Sequence, residues 1–193
     1  MLGKKNSVAI DIDCTLTELM YPTIHRMAAY FGKPVPKMHQ MKDYNLSTAF
    51  GISLEESLMF WESNEEFLVK DSVLSEVRYK SIYNNWVGDT TKVYMITNRP
   101  IKYHEETKKW LDDHKIKHDG LIMTGGHTKA EALWSKKIEL IVDDNPDVFL
   151  DIVKYKLDTT TVCVDYPYNQ SAPSDLRMDL GGNIRYARDR DFR

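Results

Sequence analysis

Cysteine is nearly absent. Cys14 and Cys163 are the only two, too few for a disulfide framework, and such a chain is expected in a reducing cytoplasm. Long apolar runs are missing too. None approaches the ~18 residues that would suggest a bilayer span, so no membrane role is expected. Glycine (9) and proline (7) are sparse, which argues against fibrous or low-complexity structure. An excess of basic charge is also lacking: 26 Lys and Arg stand against 29 Asp and Glu, a formal net charge of −3. Proteins that grip duplex nucleic acid through their surface show the opposite bias, so duplex nucleic acid is not an expected partner. The start, Met1 to Asn6, leads straight into an apolar strand with no signal-peptide core. What remains suffices for a folded core. The chain has 193 residues, 42% hydrophobic and 11% aromatic, room for one domain with an insert.

Short apolar runs recur, each ending in polar residues: Ser7 to Ile12 before Asp13, Lys92 to Ile96 before Thr97-Asn98, Leu121 to Met123 before Thr124, Ile138 to Val142 before Asp143-Asp144, and Thr160 to Val164 before Asp165. They are rich in Val and Ile and do not alternate cleanly, as expected of strands buried on both faces. Helical stretches fall between the later runs, at Pro100–Lys115, Thr128–Lys137 and Pro146–Lys156. The last opens on Asn145 as N-cap with Pro146 at the first helical position. This alternation predicts an α/β fold, a Rossmann-like parallel sheet flanked by helices. Residues Leu16 to Asp89 break the rhythm. Helices are expected there at Pro22–Phe31, Ser53–Val69 and Ser72–Val87, with a capping box at Ser53-Leu54-Glu55-Glu56. They form a helical insert after the first strand. The stretch from Tyr166 onward is expected to be mostly irregular, with Arg177, Arg185, Arg188, Arg190 and Arg193 among acids as a solvated tail.

Ligands of open parallel sheets sit outside the carboxyl ends of the strands. The first end presents Asp11-Ile12-Asp13-Cys14-Thr15. Residues two apart in a strand share a face, so Asp11 and Asp13 converge as the strand stops. Two carboxylates that close repel unless a cation joins them or one is protonated. Asp143-Asp144 adds two more acids at another strand end. Oxygen-only ligands suit Mg²⁺. A third end offers the Thr97 hydroxyl and the Asn98 backbone N–H, and Lys129, opening a helix, offers a compact positive charge to a phosphate oxygen.

Asp-x-Asp-x-Thr after the first strand, Met95-Ile96-Thr97-Asn98-Arg99-Pro100 after the second, Lys129, and Ile141-Val142-Asp143-Asp144-Asn145-Pro146 together resemble the four motifs of the haloacid dehalogenase superfamily. The resemblance covers roughly residues 7–165. The helical insert and the phrases Thr97-Asn98-Arg99-Pro100 and Asp143-Asp144-Asn145-Pro146 further resemble the 5′(3′)-deoxyribonucleotidase branch and its bacterial and phage relatives. On that basis residues 1–16 and 90–193 are expected to form the catalytic core and 17–89 an α-helical cap.

The resemblance implies a Mg²⁺-dependent phosphatase. Asp11 would attack phosphorus and form an aspartyl-phosphate. Asp13 would protonate the leaving alcohol and then activate water. The ion would be held by Asp11, the backbone carbonyl of Asp13, and Asp144. Thr97, the Asn98 amide and Lys129 would bind phosphoryl oxygens. Asp143 would orient water or Lys129, and Thr15 would brace the loop. Dehalogenases lack an acid at the second motif position and P-type ATPases carry Lys there, so Asp13 favours a phosphatase or phosphomutase. The expected partner is a small phosphomonoester, with a (deoxy)nucleoside monophosphate leading. A sugar or organic phosphate is the runner-up, and a polynucleotide end or a non-catalytic binding role trails. Homodimer formation is left open.

Other readings fail on spacing. Cysteine phosphatases need an arginine six positions after the nucleophile, and Met20 and Asn169 stand there instead. His114 and His118 lack an accompanying carboxylate motif for zinc. Gly125-Gly126-His127-Thr128-Lys129 misplaces the first glycine of a phosphate-binding loop and reads better as a turn delivering Lys129. Arg99 is balanced between touching phosphate and simple exposure. Tyr44, Phe50, Phe60 and Trp61 are candidates for stacking on a base, each weighed against core packing.

Overall fold

A computed structural model describes residues 3–187. Val- and Ile-rich runs become the strands of one seven-stranded sheet: β1 (Ser7–Ile10), β2 (Lys92–Thr97), β3 (Gly120–Met123), β4 (Leu140–Asp143), β5 (Thr160–Val164), β6 (Leu176–Met178) and β7 (Ile184–Tyr186). Their order is β3-β2-β1-β4-β5-β6-β7, and only the β6–β7 pairing is antiparallel. The alternation along β1 sends Val8 and Ile10 into one apolar cluster, and Ala9 into a second with Ile96, Ile141, Leu133 and Ile152. The sheet is therefore covered on both faces, as the unalternating strands require. Helices α6 (His104–Asp113), α7 (Ala130–Ser135) and α8 (Pro146–Tyr155) supply the connections. Asn145 caps α8, its side chain accepting from the Asp147 amide at 3.0 Å.

The chain leaves β1 to one side for β2 and β3, then returns to the other side for β4. The carboxyl ends of β1 and β4 thus flank the point where strand order reverses, the usual ligand crevice of such sheets. Asp11 continues β1, its amide donating to Val142 O at 3.0 Å. Asp143 ends β4.

Between β1 and β2 lie α1 (Met20–Phe31), α2 (Ser47–Phe50), α3 (Leu54–Ser63), α4 (Glu65–Lys70) and α5 (Glu76–Trp86). The capping box at Ser53 and Glu56 is formed, with bonds of 3.1 and 2.7 Å. The single helix expected over Ser53–Val69 is divided at Asn64. There the side chain competes for the backbone, donating to Phe60 O at 2.8 Å and accepting from Arg26 Nε at 2.6 Å. The helix expected from Ser72 begins only at Glu76, because residues 72–75 bond to the outgoing linker instead: Glu18 N donates to Val73 O (2.8 Å) and Ser75 N to Leu16 O (2.7 Å). Arg78, fully buried on the face of α5 shared with Ile82 and Trp86, donates to the carbonyls of Thr15 and Thr17 at 2.7 Å each. It clamps the base of the insert to the loop after β1.

The stretch after Tyr166 is mostly irregular, as expected from its composition, but not all of its arginines are solvated. It supplies β6 and β7, and Arg177 is 5% exposed, its Nε donating to Asp165 Oδ1 at 2.9 Å. Arg177 and Arg185, opposite each other on β6 and β7, both pair with Asp165, and Arg185 stays exposed. Arg188, Arg190 and Arg193 lie outside the described residues. Phe60 is fully buried, with its ring edge-on to Tyr30 and Trp61 at 5.4 and 5.9 Å. Phe60→Ala is expected to cost about 3–5 kcal/mol of stability by urea denaturation, the signature of a core residue. No described helix is long and apolar enough to cross a membrane.

Candidate active site

Asp11, Asp143 and Asp144 come together at the mouth of β1 and β4, with one oxygen from each within 4.8 Å of the others. All three are buried. Lys129, preceding α7, is itself 2% exposed and donates to Asp11 Oδ1 at 2.6 Å and Asp143 Oδ2 at 2.8 Å. Asp143 Oδ1 accepts from the Asn145 amide at 2.9 Å, so the α8 turn fixes its plane. Asp144 receives Thr15 Oγ1 on Oδ1 (3.2 Å) and Tyr168 Oη on Oδ2 (2.5 Å). Thr97 ends β2 beside β1, and Asn98 follows it. Thr97 is fully buried with its Oγ1 accepting from the Arg99 amide at 3.3 Å, and Asn98 Oδ1 accepts from Thr124 Oγ1 at 2.5 Å.

The charges do not balance. Three buried carboxylates face one ammonium, and the nearby Arg99 is committed to Asp13. Burial raises the Asp11 pKa to about 7, with Asp143 and Asp13 adding to the rise and Lys129 only partly opposing it. Asp144 is pushed well up by burial and then by Asp11 and Asp143. Burial opposes the charge of Lys129, but the two acids outweigh it and hold the amine protonated. A cluster of oxygen donors short of positive charge fits a hard divalent cation such as Mg²⁺.

Cys14 sits between the first two motif acids and the Thr15 hydroxyl, at φ +60°. Burial, followed by the Asp144 charge, pushes its thiol well up, which leaves it protonated and unreactive. Asp13 is not one of the three clustered acids, although its charge reaches Asp11. Both of its oxygens lie on the Arg99 guanidinium, at 2.7 and 2.9 Å. Arg99 is 3% exposed, so it is not a surface residue. Among the aromatic candidates, Phe60 and Phe50 are buried in the core and Trp61 packs against it. Tyr44 is 45% exposed and meets Tyr168 edge-on at 5.4 Å.

Several residues that shape the site went unread in the sequence. Tyr166 Oη donates to Cys14 O (3.1 Å), and Asn169 Nδ2 donates to Asp144 O (2.7 Å). Tyr166 and Tyr168 stack at 5.2 Å. Their signal was positional: Asp165-Tyr166-Pro167-Tyr168-Asn169 follows a strand that ends next to β4. Arg78 also had a signal, since it falls four and eight residues before Ile82 and Trp86.

No protein-family model matches the chain. It is 27% identical over 165 residues to "Putative nucleotidase YqfW" of Bacillus subtilis, spanning 84% of this chain and 82% of that protein. It is 24% identical over 169 residues to "Putative nucleotidase BH1399" of Halalkalibacterium halodurans, spanning 86% and 83%. Among solved structures it superposes on a HAD-superfamily hydrolase of subfamily IA from Geobacter sulfurreducens with a TM-score of 0.53, 16% identity, and 91% and 92% of the two chains. A haloacid dehalogenase-like hydrolase from Bacteroides fragilis gives a TM-score of 0.57 at 15% identity over 91% and 97%. The chain has the fold of the haloacid dehalogenase superfamily hydrolases, and its sequence resembles proteins named as nucleotidases.

Proposed function

We propose that this chain is a Mg²⁺-dependent phosphomonoester hydrolase working through an aspartyl-phosphate, with nucleoside monophosphates as its substrates. The observation that carries the reading is the buried cluster of Asp11, Asp143 and Asp144 with Lys129 bridging two of them. Asp11, Asp144 and the Asp13 carbonyl would hold the ion. When bound, Mg²⁺ offsets negative charge on the phosphoryl group and the acids around it.

The chain's own groups carry the steps. A carboxylate oxygen of Asp11 attacks phosphorus as the ester P–O bond breaks, and Asp13 in its protonated form gives the departing oxygen its proton, becoming the carboxylate that Arg99 holds. Asp13 then takes a proton from water as that water attacks the phosphorus of the acyl phosphate, releasing orthophosphate and restoring Asp11. Lys129 steers Asp11 and draws phosphoryl charge, with the Thr97 hydroxyl and the Asn98 amide at the same strand end. Asp143 keeps Lys129 charged and in place. The helices over residues 17–89 act as a cap that shuts water out. Tyr44, exposed and edge-on to the Tyr168 that bonds Asp144, would stack on a base, worth ~1–3 kcal/mol. The nucleosidic choice rests on the relatives named as nucleotidases.

The test is free phosphate released by purified protein and Mg²⁺ from a panel of nucleoside monophosphates and sugar phosphates. Release from nucleotides is expected, and release from sugar phosphates alone would replace the substrate class. Asp13→Asn is expected to slow turnover by about 10²–10⁴-fold and to leave acid-stable protein-bound phosphate visible after quenching.

A further inference from the structure

We infer that Arg99 is a positioning residue that holds the acid Asp13 in register with the base of the helical insert; the inference rests on the phosphatase reading above. Arg99 follows β2 by two positions. Its Nε donates to Asp13 Oδ2 at 2.9 Å and its Nη2 to Asp13 Oδ1 at 2.7 Å. Two parallel bonds from a planar fork fix the plane of a carboxylate as well as its distance. Asp13 needs such a constraint. It sits in the loop after β1, one residue before the left-handed Cys14, with its side chain 28% exposed. A proton donor must lie within hydrogen-bond reach of the leaving oxygen, so a swinging carboxylate would lose most of its effect.

The clamp is itself anchored. Nη2 of Arg99 also donates to Ser72 Oγ at 2.9 Å, and Nη1 lies 3.4 Å from Thr107 Oγ1 of α6. Trp110 stands beside the guanidinium, 5.8 Å from its carbon to the ring centroid, and its Nε1 donates to Ser72 O at 2.8 Å. Ser72 belongs to the linker returning from the insert, the one bonded to Glu18 and Leu16. Asp13 therefore touches the core through β2 and the insert through Ser72 by way of one side chain. A buried ion pair made only for stability is a poor investment, since apolar packing does as well. Its placement on the acid is the reason to assign it a role in the chemistry.

A structural role and a positioning role separate on the leaving group. An alkoxide leaves only when protonated, whereas p-nitrophenolate departs without help. Wild type, Arg99→Met, Arg99→Lys and Ser72→Ala are mixed rapidly with Mg²⁺ and either a nucleoside monophosphate or p-nitrophenyl phosphate. Alcohol released in the first turnover is then followed. Arg99→Met is expected to slow nucleoside release by about 10²-fold, and nitrophenol release less than about threefold. Arg99→Lys, which keeps charge without the fork, should fall between. Ser72→Ala should show the same preference, weakly. If Arg99→Met does not fold, the Arg99→Lys ratio decides. Equal slowing of both esters, or no slowing of either, overturns the role of Arg99 while the phosphatase reading stands. A wild-type protein that cleaves neither ester overturns that reading and this inference with it.

Discussion

Asp11→Asn is expected to abolish turnover, by about 10⁴-fold or more on any phosphate ester, while the fold survives. The amide keeps an oxygen for Lys129 Nζ, which now lies 2.6 Å from Asp11 Oδ1, and it is the same size as the acid. It cannot form the acyl phosphate. The substitution also removes one of three crowded buried charges, so the metal-free variant should unfold at a higher temperature than wild type at pH 8. Phosphate release and circular dichroism melting check the two halves. Retained turnover would take the nucleophile's role away from Asp11. Lower activity with a lower melting temperature would point to a packing role instead.

Without metal, stability is expected to fall as pH rises from about 5 to 8. The Asp11 pKa is raised to about 7 in the folded protein, against roughly 3.9 for an unfolded aspartate. Between those values the folded state holds a proton that the unfolded state releases. Its stabilising effect is therefore full below the unfolded pKa and is lost as pH passes through the folded one. Asp144 shifts in the same direction. Each such proton contributes a slope approaching about 1.4 kcal/mol per pH unit. Carboxylates with lowered pKa outside the core, such as Asp119 and Asp179, act in the opposite sense at lower pH. Urea denaturation in EDTA across this range should show the decline, and Mg²⁺ should flatten it. Asp144→Asn should flatten it without metal. A metal-free protein whose stability rises through pH 7 would mean that the three acids are neutralised by some other means.

Much of this architecture could be read from the chain because its causes are local. β5 was legible to the residue, and the other core strands to within one or two, since Val- and Ile-rich runs between polar stops have few alternatives. The meeting of Asp11 with Asp143 and Asp144 follows from strand order, which the βαβ rhythm supplies. The interruption at Asn64 was missed because it depends on Arg26, 38 residues away. Strands β6 and β7 were missed because their arginines read as solvated, whereas Arg177 is matched by Asp165 across the sheet. The destination of Arg99 was invisible for the same reason: a partner 86 positions distant leaves no periodic trace. Long-range polar pairing carries no sequence rhythm, and the overlooked parts of the site are made of it.

The hydrogen bonds that Tyr168 and Asn169 make to Asp144 also set an order of assembly during translation. The loop after β1, Lys129 and β4 emerge from the ribosome first and can meet while those two residues are still in the exit tunnel. Until they arrive, Asp144 is a buried acid without its last two donors. With the ion held as proposed above, a nascent chain paused after β5 should bind divalent cations poorly, and ion capture would be a late event of biogenesis.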